Sequence, residues 1–177
     1  MKIWQRLLII AFVYSLSLLV LLGFAYKGIS KDVQFGAQEI RGLVYQRPLE
    51  ALLDEVLQHK LLVQSEQSGR AVDQAELTSI ENTIDDGFNK LEAVDAELSH
   101  TLNTTKEGLA AKDRGSFHPS AIKETWQSVK ATKSGHTKLI GQIMGLISHI
   151  GDSSNLILDP DLDTYYLMDV TLLALPQ

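Results

Sequence analysis

The segment GDSSNLILDPDLDTYYLMD, residues 151–169, is the densest run of polar chemistry in the chain. Asp159, Asp161 and Asp163 carry the alternate spacing of the first three ligands of a calcium loop. The rest of such a loop is missing: Thr164 stands where the sharp-turn glycine belongs, and position twelve is Val170 instead of glutamate. Capping accounts for the triplet better. Asp159 is a favoured N-cap and Pro160 a favoured first helical residue, so Asp161 and Asp163 fall in a first turn whose dipole favours carboxylates. Glu97-x-x-His100 has the i, i+3 spacing of di-iron bundles, but those use the motif twice with two further glutamates, and one copy is present. There is no glycine-rich phosphate loop, nucleophile elbow or paired-histidine zinc helix. The absence of cysteine excludes disulfides, thiolate zinc sites and iron–sulfur clusters. No metal, cofactor or catalytic residue is expected.

The elements that must position this segment are all helical. Residues 7–26 carry no charge, and 20 apolar-rich residues span about 30 Å as a helix, the thickness of a bilayer core. Trp4 and Tyr26 flank the run as interfacial aromatics. Lys2 and Arg6 precede it, which favours a cytoplasmic N-terminus at residues 1–6 and export of the remainder. A cleaved signal peptide is the alternative, with Gly23-Phe24-Ala25 as a small-x-small site, although the apolar run exceeds the usual signal length of about 7–15 residues. Every Asp and Glu lies at or beyond Asp32. Against those 22, that region has 12 Lys and Arg, a net charge of −10, which argues against nucleic acid as a partner.

Residues 28–177 are expected to form an up-down antiparallel helical bundle of three long helices and a partial fourth. The first runs from about Val33 to Leu62, with Ile40, Val44, Leu49, Leu52, Val56 and Leu57 as apolar positions and Pro48 as a kink or restart. Ser68-Gly69 ends it. The second, from about Val72 to Leu102, carries a narrow seam through Leu77, Ile84, Phe88, Leu91 and Leu98. Residues 106–119 read as a loop. The third helix is expected to be unbroken, since Ile122, Trp126, Val129, Lys133, His136, Ile140, Ile143, Ile147, Ile150, Ser154 and Ile157 alternate steps of four and three. A fourth begins at Asp159-Pro160 and reaches Leu175, short of a full descent.

Counting residues along those helices puts Tyr165–Asp169 level with His59 and Lys60, Ser79–Glu81 and Asp152–Asn155. Such a polar layer in an apolar bundle can hold a small solute. Its contact residues are expected to be Lys60, Asp152, Asn155, Asp159, Tyr165, Tyr166 and Asp169. An ion pair of Lys60 with Asp152 or Asp169 is the plainer reading. Lys133 and His136 on the third seam fit the polar positions that set helix register.

Two segments, GLVYQRPLEALLDEVLQHKLL (42–62) and HTKLIGQIMGLISHIGDSSNLILDPDLDTYYLMDVTLLALP (136–176), resemble the periplasmic sensor region of bacterial methyl-accepting chemotaxis proteins and related hybrid histidine kinases. Members often show QHRG where this chain has Gln58-His59-Lys60-Leu61. The resemblance implies a helical, usually homodimeric sensor in the bacterial inner membrane, reading a small-molecule ligand or a periplasmic binding protein for chemotaxis and signal transduction. It further implies a HAMP linker and signalling domain beyond it, so the chain is expected to be a fragment. The reading from another class is a membrane-anchored helical scaffold that docks a partner and senses nothing.

Overall fold

The computed structural model describes residues 3–156, and every element among them is helical. In order, α1 covers Ile3–Gln67, α2 Gln74–Leu102, α3 Lys106–Ala110, α4 Pro119–Thr132 and α5 His136–Ser153, with a 3-10 turn at Gly115–Phe117. The expected fourth helix from Asp159 lies outside the described residues. The chain divides into two units, Met1–Gln38 and Glu39–Gln177, and α1 contributes to both.

In the first unit, the side chains of Leu7, Phe12, Leu19, Leu22 and Phe24 are all exposed. Ser17 turns its hydroxyl back onto the carbonyl of Val13 at 3.0 Å, which satisfies it within its own helix. This part of α1 is long and apolar enough to cross a membrane. Among the described residues its apolar side chains enter no core.

The second unit owns the core. Tyr45, Leu49, Leu52 and Val56 from α1 meet Ile84, Phe88 and Leu91 from α2, Ile122, Trp126 and Val129 from α4, and Leu139, Ile143, Leu146 and Ile150 from α5. Each such aliphatic side chain contributes about 1.5–3 kcal/mol when fully buried. Pro48 stands inside α1 without ending it. Beyond it Leu49, Leu52 and Val56 are buried as expected, whereas before it Tyr45 is buried and Ile40 and Val44 are exposed.

Caps explain the boundaries. The Asp73 carboxylate accepts from the amide of Ala75 at 2.8 Å and starts α2. Asn103, with φ +56°, closes it in the left-handed region that asparagine tolerates. His118 caps α4 through Ser120, and Pro119 follows as the first helical residue. The expected loop at 106–119 is thus partly helical, through α3 and the 3-10 turn.

The third helix departs most from expectation. It is two helices. Lys133 (φ +51°) and Gly135 (φ +91°) both adopt left-handed backbone, which stops α4 and turns the chain back. α4 and α5 pack against each other, with Phe117 beside Gly145 and Ser116 accepting from Gln142 at 2.8 Å. The steps of four and three run on through the joint because both helices face the same core, so the seam survives although the helix does not. Paired residues show opposed directions between neighbours: Tyr45 with Asp95 and His59 with Glu81 for α1 and α2, then Asp85 with Lys130 and Glu92 with Lys123 for α2 and α4.

Candidate functional site

Four elements converge on His59. It lies on α1 four residues beyond Glu55 and is completely buried. Its Nδ1 is 2.8 Å from Nε2 of His136, the first residue of α5. Its Nε2 is 3.6 Å from Glu81 Oε1 on α2 and, among the described residues, makes no hydrogen bond. The edge of its ring meets Trp126 of α4, with centroids 5.0 Å apart and planes at 81°.

Donor chemistry assigns the protons. A carboxylate accepts only, so His59 is best placed with Nε2–H toward Glu81 and a bare Nδ1 that accepts from Nε2–H of His136. The opposite tautomer would point a ring lone pair at Glu81. The former arrangement is met with both rings neutral. Burial holds His136 down at about 4, with the nearby His59 and Lys60 adding to the effect. Burial also lowers His59, against the pull of Glu81.

Charged groups ring the pair at the ends of the helices. Lys130 bridges Asp85 at 2.8 Å and Glu81 at 3.8 Å, and Lys133 pairs with Glu66 at 2.6 Å. Trp126 donates its indole N–H to Asp85. The arrangement can carry and relocate a proton. It offers no activated nucleophile, and among the described residues no group of three His, Cys, Asp or Glu side chains is disposed to hold a metal ion. Glu97 and His100 are both exposed on α2.

His149 follows the same logic elsewhere in α5. Arg114 Nη1 can only donate, so His149 Nδ1 accepts from it at 3.3 Å, and the Asn103 carbonyl can only accept, so Nε2 donates to it at 3.1 Å. Both ring nitrogens are committed in the neutral form.

A groove of about 470 Å³ runs along α4 and α5, lined by Glu124, Thr125, Ser128, Ser134, Lys138 and Gln142 among others. Gln142 Oε1 is buried without a partner while its Nε2 donates to Ser116. Ala121 and Val129 line the groove beside these polar groups, and it is open to solvent.

The expected polar layer is not assembled among the described residues. Lys60 is half-buried on α1 beside His59. Asp152 instead pairs with Arg114 at 3.0 Å, and Asn155 follows α5 with φ +64°. The reason is the turn at Lys133–Gly135: it delivers the start of α5, His136, to the His59 layer, and Asp152 then lies about 24 Å further along that helix. Asp159, Tyr165, Tyr166 and Asp169 lie outside the described residues. Lys133 and His136 do occupy inter-helix positions, bonded to α1 through Glu66 and His59. Sequence reasoning placed Glu81 level with His59 but missed His136 as its partner. The signal was available in Lys133-Ser134-Gly135, a glycine two residues after a lysine that can close a helix. No family model, curated protein or solved structure matches this chain.

Proposed function

We propose that this chain is the sensing input region of a membrane-anchored signal transducer of chemoreceptor type. In this reading α1 crosses the bacterial inner membrane once, with its N-terminus cytoplasmic, and an acidic, up-down antiparallel helical domain stands in the periplasm. One observation carries it: the element that supplies the membrane-length apolar run, α1, also supplies Tyr45, Leu49, Leu52, Val56 and His59 to the core. Three polar contacts of α1 within the domain reach other elements, at Asp95 of α2, His136 of α5 and Lys133 at the end of α4. A stimulus that alters packing among α2, α4 and α5 therefore acts on the anchoring helix, which is how a population shift between two packings is transmitted. A homodimer through the exposed Ile40, Leu43, Val44 and Leu61 of α1 fits this reading, since such side chains favour a covered surface. The same exposed residues favour the second reading, a membrane-anchored scaffold that docks a partner.

Topology is tested first, using the absence of cysteine. D73C should react with a membrane-impermeant maleimide in intact cells, and Q5C only after permeabilisation. The reverse pattern would sink the reading. A panel of small solutes then separates sensor from scaffold: a sensor gains thermal stability with one of them, whereas a scaffold gains it only with protein concentration.

A further inference from the structure

Two buried imidazoles facing each other share one hydrogen bond, and that bond has a condition. At 2.8 Å between His59 Nδ1 and His136 Nε2, one nitrogen must be a bare acceptor. The pair meets this condition when neutral. It also meets it with one added proton, because the imidazolium can donate to the remaining neutral ring while Glu81 balances the charge from 3.6 Å. A second proton removes the last acceptor and sets two N–H groups, both cationic, against each other in a buried site. The contact must then open.

The surroundings decide which element moves. From α2, Glu81 faces the pair; from α4 and its end, Lys130 and Lys133, which Asp85 and Glu66 hold; from α1, Lys60. Lys130 holds Asp85 at 2.8 Å and also reaches Glu81 at 3.8 Å, and Lys133 holds Glu66; Glu81, 3.6 Å from His59, is the carboxylate nearest to the rings among the described residues. It sits on the His59 side. Among the described residues His136 has no such counter-ion, and as the first residue of α5 it occupies the positive end of the helix dipole, which disfavours a cation. Behind it lies the left-handed joint Lys133–Gly135, with Ser134 and Gly135 exposed. His59 sits mid-helix among core residues. The start of α5 is the part free to leave.

We propose that His59, His136 and Glu81 form an acid-operated latch that holds the start of α5 against α1 and releases it when both rings are protonated. The latch is a property of the folded domain and does not depend on the transducer reading. Where the domain does serve as an input unit, the stimulus it reads here is the proton, and the released contact is one made to the anchoring helix itself.

Trp126 reports the event. It is fully buried against His59, and the only other tryptophan is Trp4. The W4F full-length chain in lipid nanodiscs would be titrated from about pH 8 to about pH 3, following acrylamide quenching of Trp126 and far-UV circular dichroism together. Quenching should rise severalfold at acid pH while helicity is retained. H136Q is the decisive variant. Its amide can donate to neutral His59 and its carbonyl can accept from protonated His59, so the contact survives in either state and the rise in quenching should vanish. H149Q, remote from the pair along α5, should leave the rise in place. Should H136Q fail to fold, imidazole nitrogen spectra of the His136 chain replace it: the through-bond coupling across N–H···N is expected at neutral pH and should disappear as quenching rises. Three outcomes overturn the latch: no rise in quenching, a rise that persists in folded H136Q, or quenching and helix loss that coincide. Missing coupling at neutral pH would do the same. None of these bears on membrane topology or solute binding, so the transducer reading stands or falls separately.

Discussion

The indole Nε1–H of Trp126 donates to Asp85 Oδ1 at 2.7 Å across the α2–α4 contact, and Lys130, one turn beyond Trp126, holds the other carboxylate oxygen at 2.8 Å. Burial raises the Asp85 carboxyl, but the hydrogen bonds from Lys130 and Trp126 outweigh it, so the group titrates below the ordinary carboxylate range. One side chain thereby satisfies a buried donor and anchors a partly exposed cation.

These two roles separate by mutation. Asp85→Ala strands the buried indole N–H and should cost about 1–3 kcal/mol in urea unfolding. Asp85→Asn keeps a carbonyl acceptor for Trp126 and loses only a partly exposed ion pair, so it should cost about 1 kcal/mol or less. Equal losses in the two variants would mean that the indole bond contributes nothing.

Asp95 Oδ1 accepts from both Tyr45 and Thr104, each at 2.6 Å, and both donors belong to fully buried residues. Burial first, and the neighbouring Asp95 second, push the Tyr45 hydroxyl upward, so it remains a donor at every pH at which the domain is folded. Tyr45→Phe should cost about 1 kcal/mol. Because Thr104 shares the same oxygen, Tyr45→Phe and Thr104→Val should be non-additive, with a coupling of about 0.5 kcal/mol or more in a double-mutant cycle. Strict additivity would contradict the shared acceptor.

Stability should depend on pH through the histidines. His59, His118, His136 and His149 all titrate below their ordinary value, with burial the largest cause in each. The unfolded chain therefore takes up protons near about pH 6.5 that the folded chain refuses. Their contribution is complete above about pH 6.5 and is lost as the pH falls toward the value of about 4 held by His136. Asp85 and Glu66, whose carboxyls are held low, add a further loss at still lower pH. Denaturant midpoints measured at several pH values should fall steadily below about pH 6.5. A stability maximum near about pH 5 would reject this assignment.

Two glycines of α5 should respond oppositely to alanine. A Cβ at Gly145 would stand 2.5 Å from the Phe117 ring, whereas one at Gly141 meets nothing within 4 Å. Gly145→Ala should lower stability by about 1–3 kcal/mol as the ring is displaced. Gly141→Ala should raise it by up to about 1 kcal/mol, since alanine loses less backbone entropy in a helix. Thermal midpoints moving in the same direction would show that Phe117 yields freely.

Composition and periodicity by themselves determined that the described residues are helical, where the apolar span lies, and which residues of α2 and α4 face the core; on α5 they found Ile143, Ile147 and Ile150 but not Leu139 and Leu146. These are local properties: charge-free length, steps of three and four, and capping side chains act within a few residues of where they are written. Leu77, Ile84, Phe88 and Leu91 are buried on α2, as their spacing demands. Only the tertiary structure decided that the third seam is folded in two at Lys133–Gly135. Heptad spacing is indifferent to a turn whose two arms face one core, and a left-handed residue costs little once packing on both sides repays it. Every placement that depended on that turn changed with it. Asp152 went to Arg114 instead of toward Lys60, and His136, read as a seam position, reached His59 across 77 residues of sequence. Facing imidazoles require the start of α5 to lie level with His59 on α1, and no spacing within either helix records that placement.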